Sequence, residues 1–153
     1  MMDLRTILLV EDNPKDIELI LEALADHHLA NRVKVVHDGV EALEYLRCQG
    51  QYQLRPAGDP AVILLDIKMP RMDGIEVLRT IRKDDRMKFI PVVMLTSSRE
   101  EPDLKQCYEL GVNAYVVKPV NFNDFFEAVK QVGIFWAVIN EIPSASGVQN
   151  ESK

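Results

Sequence analysis

The sequence predicts an α/β chain in which helices cover both faces of a doubly wound, five-stranded parallel sheet. Three observations predict it. Five short strand-like apolar runs alternate with helical patterns, as in strands joined by helical crossovers. The first run, Thr6-Ile7-Leu8-Leu9-Val10, is continuously apolar, as expected of a strand buried on both faces. The polar residues able to do chemistry fall just beyond the carboxyl ends of the strands, where the ligand sites of such sheets lie. With 153 residues, 47% hydrophobic and 27% charged, the chain suits one domain.

The elements follow in order. After the first strand, Asn13 is an N-cap with Pro14 at the first helical position, and Ile17, Ile20, Leu21 and Leu24 repeat at helical spacing. Val33 to Val36 is a second, more polar strand, which suits a sheet edge. Asp38 followed by Glu41 is a capping-box pattern opening a helix with Ala42, Leu43 and Leu46 inward. Gln49 to Pro60 carries two glycines and two prolines and reads as a loop. Ala61 to Leu65 is the third strand, and Gly74 to Lys83 a helix with Val77, Leu78 and Ile81 inward. Pro91 to Leu95 is the fourth strand. A helix from about Pro102 turns Leu104, Cys107 and Tyr108 inward and stops at Gly111. Ala114 to Val117 is the fifth strand. Asn121 caps a last helix running to about Asn140, and 143–153, rich in Ser, Gly and Asn, reads as a disordered tail behind a domain of 1–142.

Bulk properties exclude several classes. The formal net charge of -6 argues against sequence-independent nucleic-acid binding, which needs Lys and Arg to displace phosphate counterions. Two cysteines, Cys48 and Cys107, make no disulfide framework and read as buried thiols in helices. The N-terminus carries Asp3 and Arg5 before the first strand and has no signal-peptide pattern. No apolar run approaches the ~20 residues of a membrane helix. The expectation is a soluble, cytoplasmic protein without a membrane partner.

Four strands deliver their polar residues to one edge. Strand one runs into Glu11-Asp12, strand three ends in Asp66, strand four in Thr96-Ser97-Ser98, and strand five in Lys118-Pro119. Three clustered carboxylates repel one another and are tolerable only around positive charge. All-oxygen donors favour a hard cation, and Mg²⁺ suits a phosphate site. Lys118 adds a second positive charge able to neutralise a phosphoryl group in transfer, and Thr96 offers a hydrogen-bond donor. A carboxylate held between Mg²⁺ and Lys can attack phosphorus, giving an acyl phosphate on Asp66.

Taken together the four sites resemble the receiver domain of bacterial response regulators, over roughly residues 5 to 141. The motifs that carry the resemblance are Ile7 to Asn13, Leu64 to Gly74, Val93 to Ser97 and Tyr115 to Pro119. The resemblance implies the flavodoxin-like strand order 2-1-3-4-5 and phosphorylation of Asp66 by a histidine kinase or phosphotransfer protein. It implies Mg²⁺ held by Asp12, Asp66 and the main-chain carbonyl of Lys68, with Glu11 acting through water. Thr96 and Tyr115 correspond to the switch pair, and the peptide before Pro119 is cis in the family. Lys68 and Ser98 flank the path of attacking water and tune rates.

Two departures narrow the comparison. The loop from Arg47 to Pro60 is longer than in a minimal receiver, and the last helix ends in Ile134-Phe135-Trp136-Ala137-Val138-Ile139. Both features look like the small response regulators that partner bacterial phytochromes. No DNA-binding or enzymatic domain follows, so the expected output is protein contact, and the only expected chemistry is gain and loss of the chain's own phosphoryl group. In the last helix, Phe125, Val129, Val132, Trp136 and Ile139 form one inward stripe, leaving Phe122, Phe126, Ile134, Phe135 and Val138 in excess. A helix apolar all round is buried all round, which predicts a homodimer through this helix.

Three rival classes fare worse. A haloacid-dehalogenase-type phosphatase needs a second Asp two residues after its nucleophile, where Lys68 stands. A flavodoxin-like electron carrier needs a Ser/Thr/Gly-rich phosphate loop where Glu11-Asp12-Asn13-Pro14 stands. A pseudo-receiver lacks the acceptor or the acidic pair, and both are present.

Overall fold

A computed structural model of the chain describes residues 3–27, 29–98, 100–112 and 114–131. The strands are β1 (Asp3–Val10), β2 (Val33–Val36), β3 (Pro60–Asp66), β4 (Val92–Thr96) and β5 (Ala114–Val117). The helices are α1 (Pro14–Ala25), α2 (Gly39–Arg47), α3 (Gly74–Lys83), α4 (Asp103–Glu109) and α5 (Phe122–Gln131). All pairings are parallel and the order is β2-β1-β3-β4-β5, as expected, with the polar β2 at an edge. The expected continuation of the last helix to Asn140, with Ile134, Phe135 and Val138, and the expected tail of 143–153 lie outside the described residues.

The sheet divides the core in two because successive side chains of a strand point to opposite faces. Leu8 and Val10 pack with Leu46, Leu78, Ile81 and Met94. Ile7 and Leu9 pack with Ile20, Leu24, Phe125 and Val129. The helices thus lie on the two sides as a doubly wound sheet requires, and the strand ends are left open at one edge.

Local chemistry sets the helix boundaries. Asn13 Oδ1 accepts the N–H groups of Lys15 at 2.8 Å and Asp16 at 3.1 Å, satisfying donors that α1 cannot use internally. Asn121 caps α5 in the same way through the Asp124 N–H at 2.9 Å. Gly111, at φ 94°, closes α4: its N–H reaches the Tyr108 carbonyl and that of Val112 reaches Cys107, both at 3.1 Å.

Several expectations are corrected in detail. The capping box at α2 is displaced by one residue. Asp38 Oδ1 accepts the Glu41 N–H at 2.9 Å, but Glu41 answers to the His37 N–H at 2.8 Å, not to that of Asp38. Cys48 is not inside α2. It is the half-buried C-cap at φ 55°, whereas Cys107 is fully buried. Tyr108 is exposed rather than inward, its ring edge-on to Tyr115 with centroids 6.2 Å apart. Ile17 and Leu21 are only half-buried. His27 stacks on the Phe122 ring with centroids 3.4 Å apart.

Candidate functional site

The open edge of the sheet forms a cleft lined by Glu11, Asp12, Asp16, Asp66, Lys68, Thr96, Glu101 and Lys118, among others. Glu11, Asp12, Asp66, Lys68, Thr96 and Lys118, all singled out from the sequence, therefore meet in one place, whereas Ser98 is not part of the lining. Glu11 extends the ladder of β1 through its N–H to the Val36 carbonyl at 3.0 Å, which buries its side chain completely. Asp12, one residue on, is exposed in the cleft. Asp66 closes β3 and is 7% exposed.

Gly74 sets the turn after Asp66. A Cβ there would sit 2.1 Å from the Asp66 carbonyl oxygen, so only glycine lets α3 begin so close to the end of β3. The Gly74 N–H bonds the Ile67 carbonyl at 2.8 Å. Farther along the same loop, Arg71 at φ 64° pairs with Asp38 at 2.7 Å, tying the loop to α2.

Lys118 is the hub. Its Nζ lies 2.8 Å from Glu11 Oε1, 3.0 Å from Asp16 Oδ2 and 3.1 Å from Asp66 Oδ1. The Lys118–Pro119 peptide is cis, as expected, and the Lys118 N–H bonds the Thr96 carbonyl at 2.8 Å. Burial works against the ammonium charge, but the Glu11, Asp66 and Asp16 carboxylates outweigh it, and the Lys118 pKa is raised.

The carboxylates are less well served. Burial pushes Glu11 up to about 7, with the Asp66 charge adding to it and Lys118 opposing. Asp66 is also raised, by burial first, with Lys118 pulling it back and Asp12 adding repulsion. Oxygens of Glu11, Asp12 and Asp66 all lie within 4.8 Å of one another. A buried carboxylate cluster with one ammonium is short of positive charge. Its donors are all oxygens, so the residues present fit a hard divalent cation.

The two residues expected to form the switch pair line different grooves. The Thr96 side chain is nearly fully buried and its hydroxyl serves its own loop, donating to the Ser98 carbonyl at 2.9 Å and accepting the Ser98 N–H at 3.3 Å. Tyr115, half-buried in β5, lines a separate groove with Tyr108 and Asp124. The Lys68 ammonium sits across the cleft mouth, 3.7 Å from Glu101 Oε1 and 3.6 Å from Asp103 Oδ2. Sequence reasoning singled out neither Asp16 nor Glu101. Asp16 carried a faint signal as an acidic residue in the first turn of the helix that leaves the acidic pair.

The model of the response regulator receiver domain matches residues 7–130. This chain belongs to the response regulator receiver domain family. The receiver is 39% identical over 141 residues to response regulator Rcp1 of Synechocystis sp. (strain ATCC 27184 / PCC 6803 / Kazusa), covering 92% of this chain and 95% of that protein. A solved structure of the Mn(2+)-bound form of Rcp1 superposes with a TM-score of 0.69 over 87% of this chain and 94% of the other, at 39% identity. The bacteriophytochrome response regulator AtBRR superposes with a TM-score of 0.82 at 62% identity, covering 89% of this receiver and 97% of that chain. The bacteriophytochrome response regulator RtBRR does so with 0.82 at 55% identity, covering 94% and 85%. The fold and the acidic, all-oxygen cleft are those of a two-component signalling receiver.

Proposed function

We propose that this receiver is a phosphorylation switch whose acceptor is Asp66 and whose donor is a histidine kinase of the phytochrome type. One observation carries the assignment: the Lys118 ammonium stands 3.1 Å from the buried Asp66 carboxylate, inside a cluster that calls for a cation. Mg²⁺ would be held by Asp12, Asp66 and the Lys68 main-chain carbonyl, with Glu11 alongside, and it supplies the positive charge that lets a dianionic phosphoryl group approach. An Asp66 oxygen attacks phosphorus, the phosphorus–nitrogen bond of a phosphohistidine donor breaks, and the imidazole nitrogen leaves with the electron pair and takes a proton from water. Lys118 neutralises the charge gathering on the phosphoryl oxygens. The Thr96 hydroxyl then exchanges its Ser98 carbonyl for a phosphoryl oxygen, and Tyr115 answers that movement. Catalysis is confined to the chain's own phosphoryl group.

The test is incubation with acetyl phosphate and Mg²⁺, followed by intact mass. The wild type should gain one phosphoryl group, and its Tyr115 ring resonances should shift. Asp66→Asn keeps the shape and loses the nucleophile, so labelling should fall to background. A base-labile phosphate on the variant, formed at the wild-type rate, would overturn the acceptor assignment.

Likeness to phytochrome response regulators over nearly the whole chain supports the proposed kinase type, and a cytoplasmic location is proposed with it. The proposed output is protein contact, beginning with a homodimer through the last helix. Phe125 and Val129 fill the core, and Phe122 is covered by His27 within the chain. Phe126, half-buried beside Phe122 with ring centroids 5.9 Å apart, is the proposed start of that interface, and Ile134, Phe135 and Val138, outside the described residues, are proposed to continue it. Burying one such side chain contributes roughly 1.5–3 kcal/mol against an association cost of several kcal/mol, so two or three anchors per chain are needed. In sedimentation, Phe135→Glu and Val138→Glu should be monomers that still accept phosphate. A wild type that is monomeric at every concentration, phosphorylated or not, defeats the dimer.

A further inference from the structure

A Lys ammonium has three N–H bonds to give, and Lys118 faces three carboxylates with its Nζ: Glu11 at 2.8 Å, Asp16 at 3.0 Å and Asp66 at 3.1 Å. Only the Asp16 contact has hydrogen-bond geometry, the buried Glu11 Oε1 being left without a hydrogen-bond partner, and a fourth oxygen would have to compete for the ammonium. Phosphorylation creates that fourth claim. With acetyl phosphate, the Asp66 carboxylate displaces acetate, an oxygen–phosphorus bond breaking as another forms. The negative charge of the carboxylate disappears into the acyl phosphate, and two negative charges arrive on the phosphoryl oxygens. Lys118 must turn toward them.

The three partners differ in how firmly they hold it. Glu11 is completely buried and is also bound by the Asn13 N–H at 3.2 Å. Asp66 is the reacting group. Asp16 lies in the first turn of α1, and its side chain is 28% exposed, so water can take its place and it can release or retain Lys118. It is also an acidic side chain in the cleft that receives the phosphoryl group.

We propose that Asp16 is a positioning residue that competes with the incoming phosphoryl group for Lys118 and thereby restrains phosphorylation of Asp66. The inference rests on Asp66 being the acceptor. Neutralising Asp16 should free one Lys118 donor and remove one repulsion, so transfer becomes faster, not slower. A purely structural Asp16 would give the opposite sign, because a loosened Lys118 serves the site less well.

The experiment compares the wild type, Asp16→Asn and Asp16→Glu in acetyl phosphate at saturating Mg²⁺, with Mg²⁺ affinity measured separately. Phosphorylation of Asp16→Asn should be roughly three- to tenfold faster, the effect of one charge at a part-exposed site. Asp16→Glu, which keeps the charge, should fall close to the wild type. The Lys118 Nζ resonance of the unphosphorylated protein should move in Asp16→Asn. An unchanged or slower rate overturns the competition, and so does a faster rate with an unmoved Lys118 resonance, since Asp16 would then act by repulsion alone. A folded wild type that never takes phosphate overturns the acceptor assignment instead, so the two failures are distinguishable.

Discussion

Glu11 and Asp66 lie at the ends of β1 and β3, and Asp38 and Glu41 lie just past the end of β2, on the same edge of the sheet. The two pairs of carboxylates are handled in opposite ways. Asp38 accepts the Glu41 N–H and the Arg71 guanidinium. Glu41 accepts the His37 N–H and the Tyr52 hydroxyl. Burial raises both pKa values, but these donors outweigh it and both end below the ordinary carboxylate range. Glu11 and Asp66 are buried more deeply, share one ammonium, and end above it. A structural carboxylate is fully compensated by its own chain. The cleft carboxylates are left short of positive charge, the pattern that marks a candidate functional site.

The largest expected consequence is a pair of opposed pH slopes in the metal-free protein. Glu11 titrates at 4.5 unfolded and at about 7 folded. The folded state therefore holds its proton more tightly, and this contribution to stability is full below pH 4.5 and lost as pH rises to about 7. Its size is on the order of 1–3 kcal/mol, since one pKa unit is about 1.4 kcal/mol. Asp38 and Glu41 have depressed values, so their contribution is present at neutral pH and lost as pH falls below about 4. Urea unfolding without Mg²⁺ should show stability falling from pH 5 to pH 7.5. Glu11→Gln should flatten that limb and leave the acid limb alone. A wild type equally stable across pH 5 to 7.5 would refute the contrast.

Truncation of one member from each cluster should then give opposite signs. Asp12→Ala removes a repelling charge, so the metal-free protein should be unchanged or somewhat more stable, while Mg²⁺ binding and phosphorylation weaken together. Asp38→Ala removes the N-cap of α2 and strands Arg71, costing about 1–2 kcal/mol. Thermal unfolding with and without Mg²⁺ decides it. Full phosphorylation of Asp12→Ala in the presence of EDTA would sink the metal assignment.

The site and the frame around it were not equally legible in the sequence. Apolar runs such as Leu64-Leu65 and helical stripes such as Val77, Leu78 and Ile81 encode burial directly, and the caps Asn13 and Asn121 act on donors two or three residues away. What sequence reading lost depends on distance or on one backbone angle. Asp16 meets Lys118 across 102 positions, while its local pattern reads as an ordinary first-turn acid. Cys48 takes a left-handed conformation that no neighbouring residue announces. Tyr108 keeps helical spacing with Leu104, yet the stripe of α4 is narrow and the Tyr108 ring falls beyond it, against Tyr115. The position of Thr96 at a strand end does not announce that its hydroxyl donates to the Ser98 carbonyl at 2.9 Å.

The smallest expected effect tests whether the two clusters are independent. Tyr52 belongs to the long Gln49–Pro60 loop and donates its hydroxyl to Glu41 Oε2. Its ring is edge-on to Tyr45 at 5.1 Å. Burial and the Glu41 bond together raise its pKa, so it remains a donor at neutral pH. Tyr52→Phe keeps the ring contact and removes one hydrogen bond to a charged group. Glu41 retains the His37 N–H, so the loss should be roughly 0.5–1.5 kcal/mol, with the Glu41 pKa moving back toward its ordinary value. The Asp66 cleft has no part in this bond. The rate of phosphorylation by acetyl phosphate should therefore match the wild type at a temperature where both are folded. A several-fold change in that rate would mean that the loop reaches the acceptor through α2 and the Asp38–Arg71 pair, and the separation of a structural from a working cluster would fail.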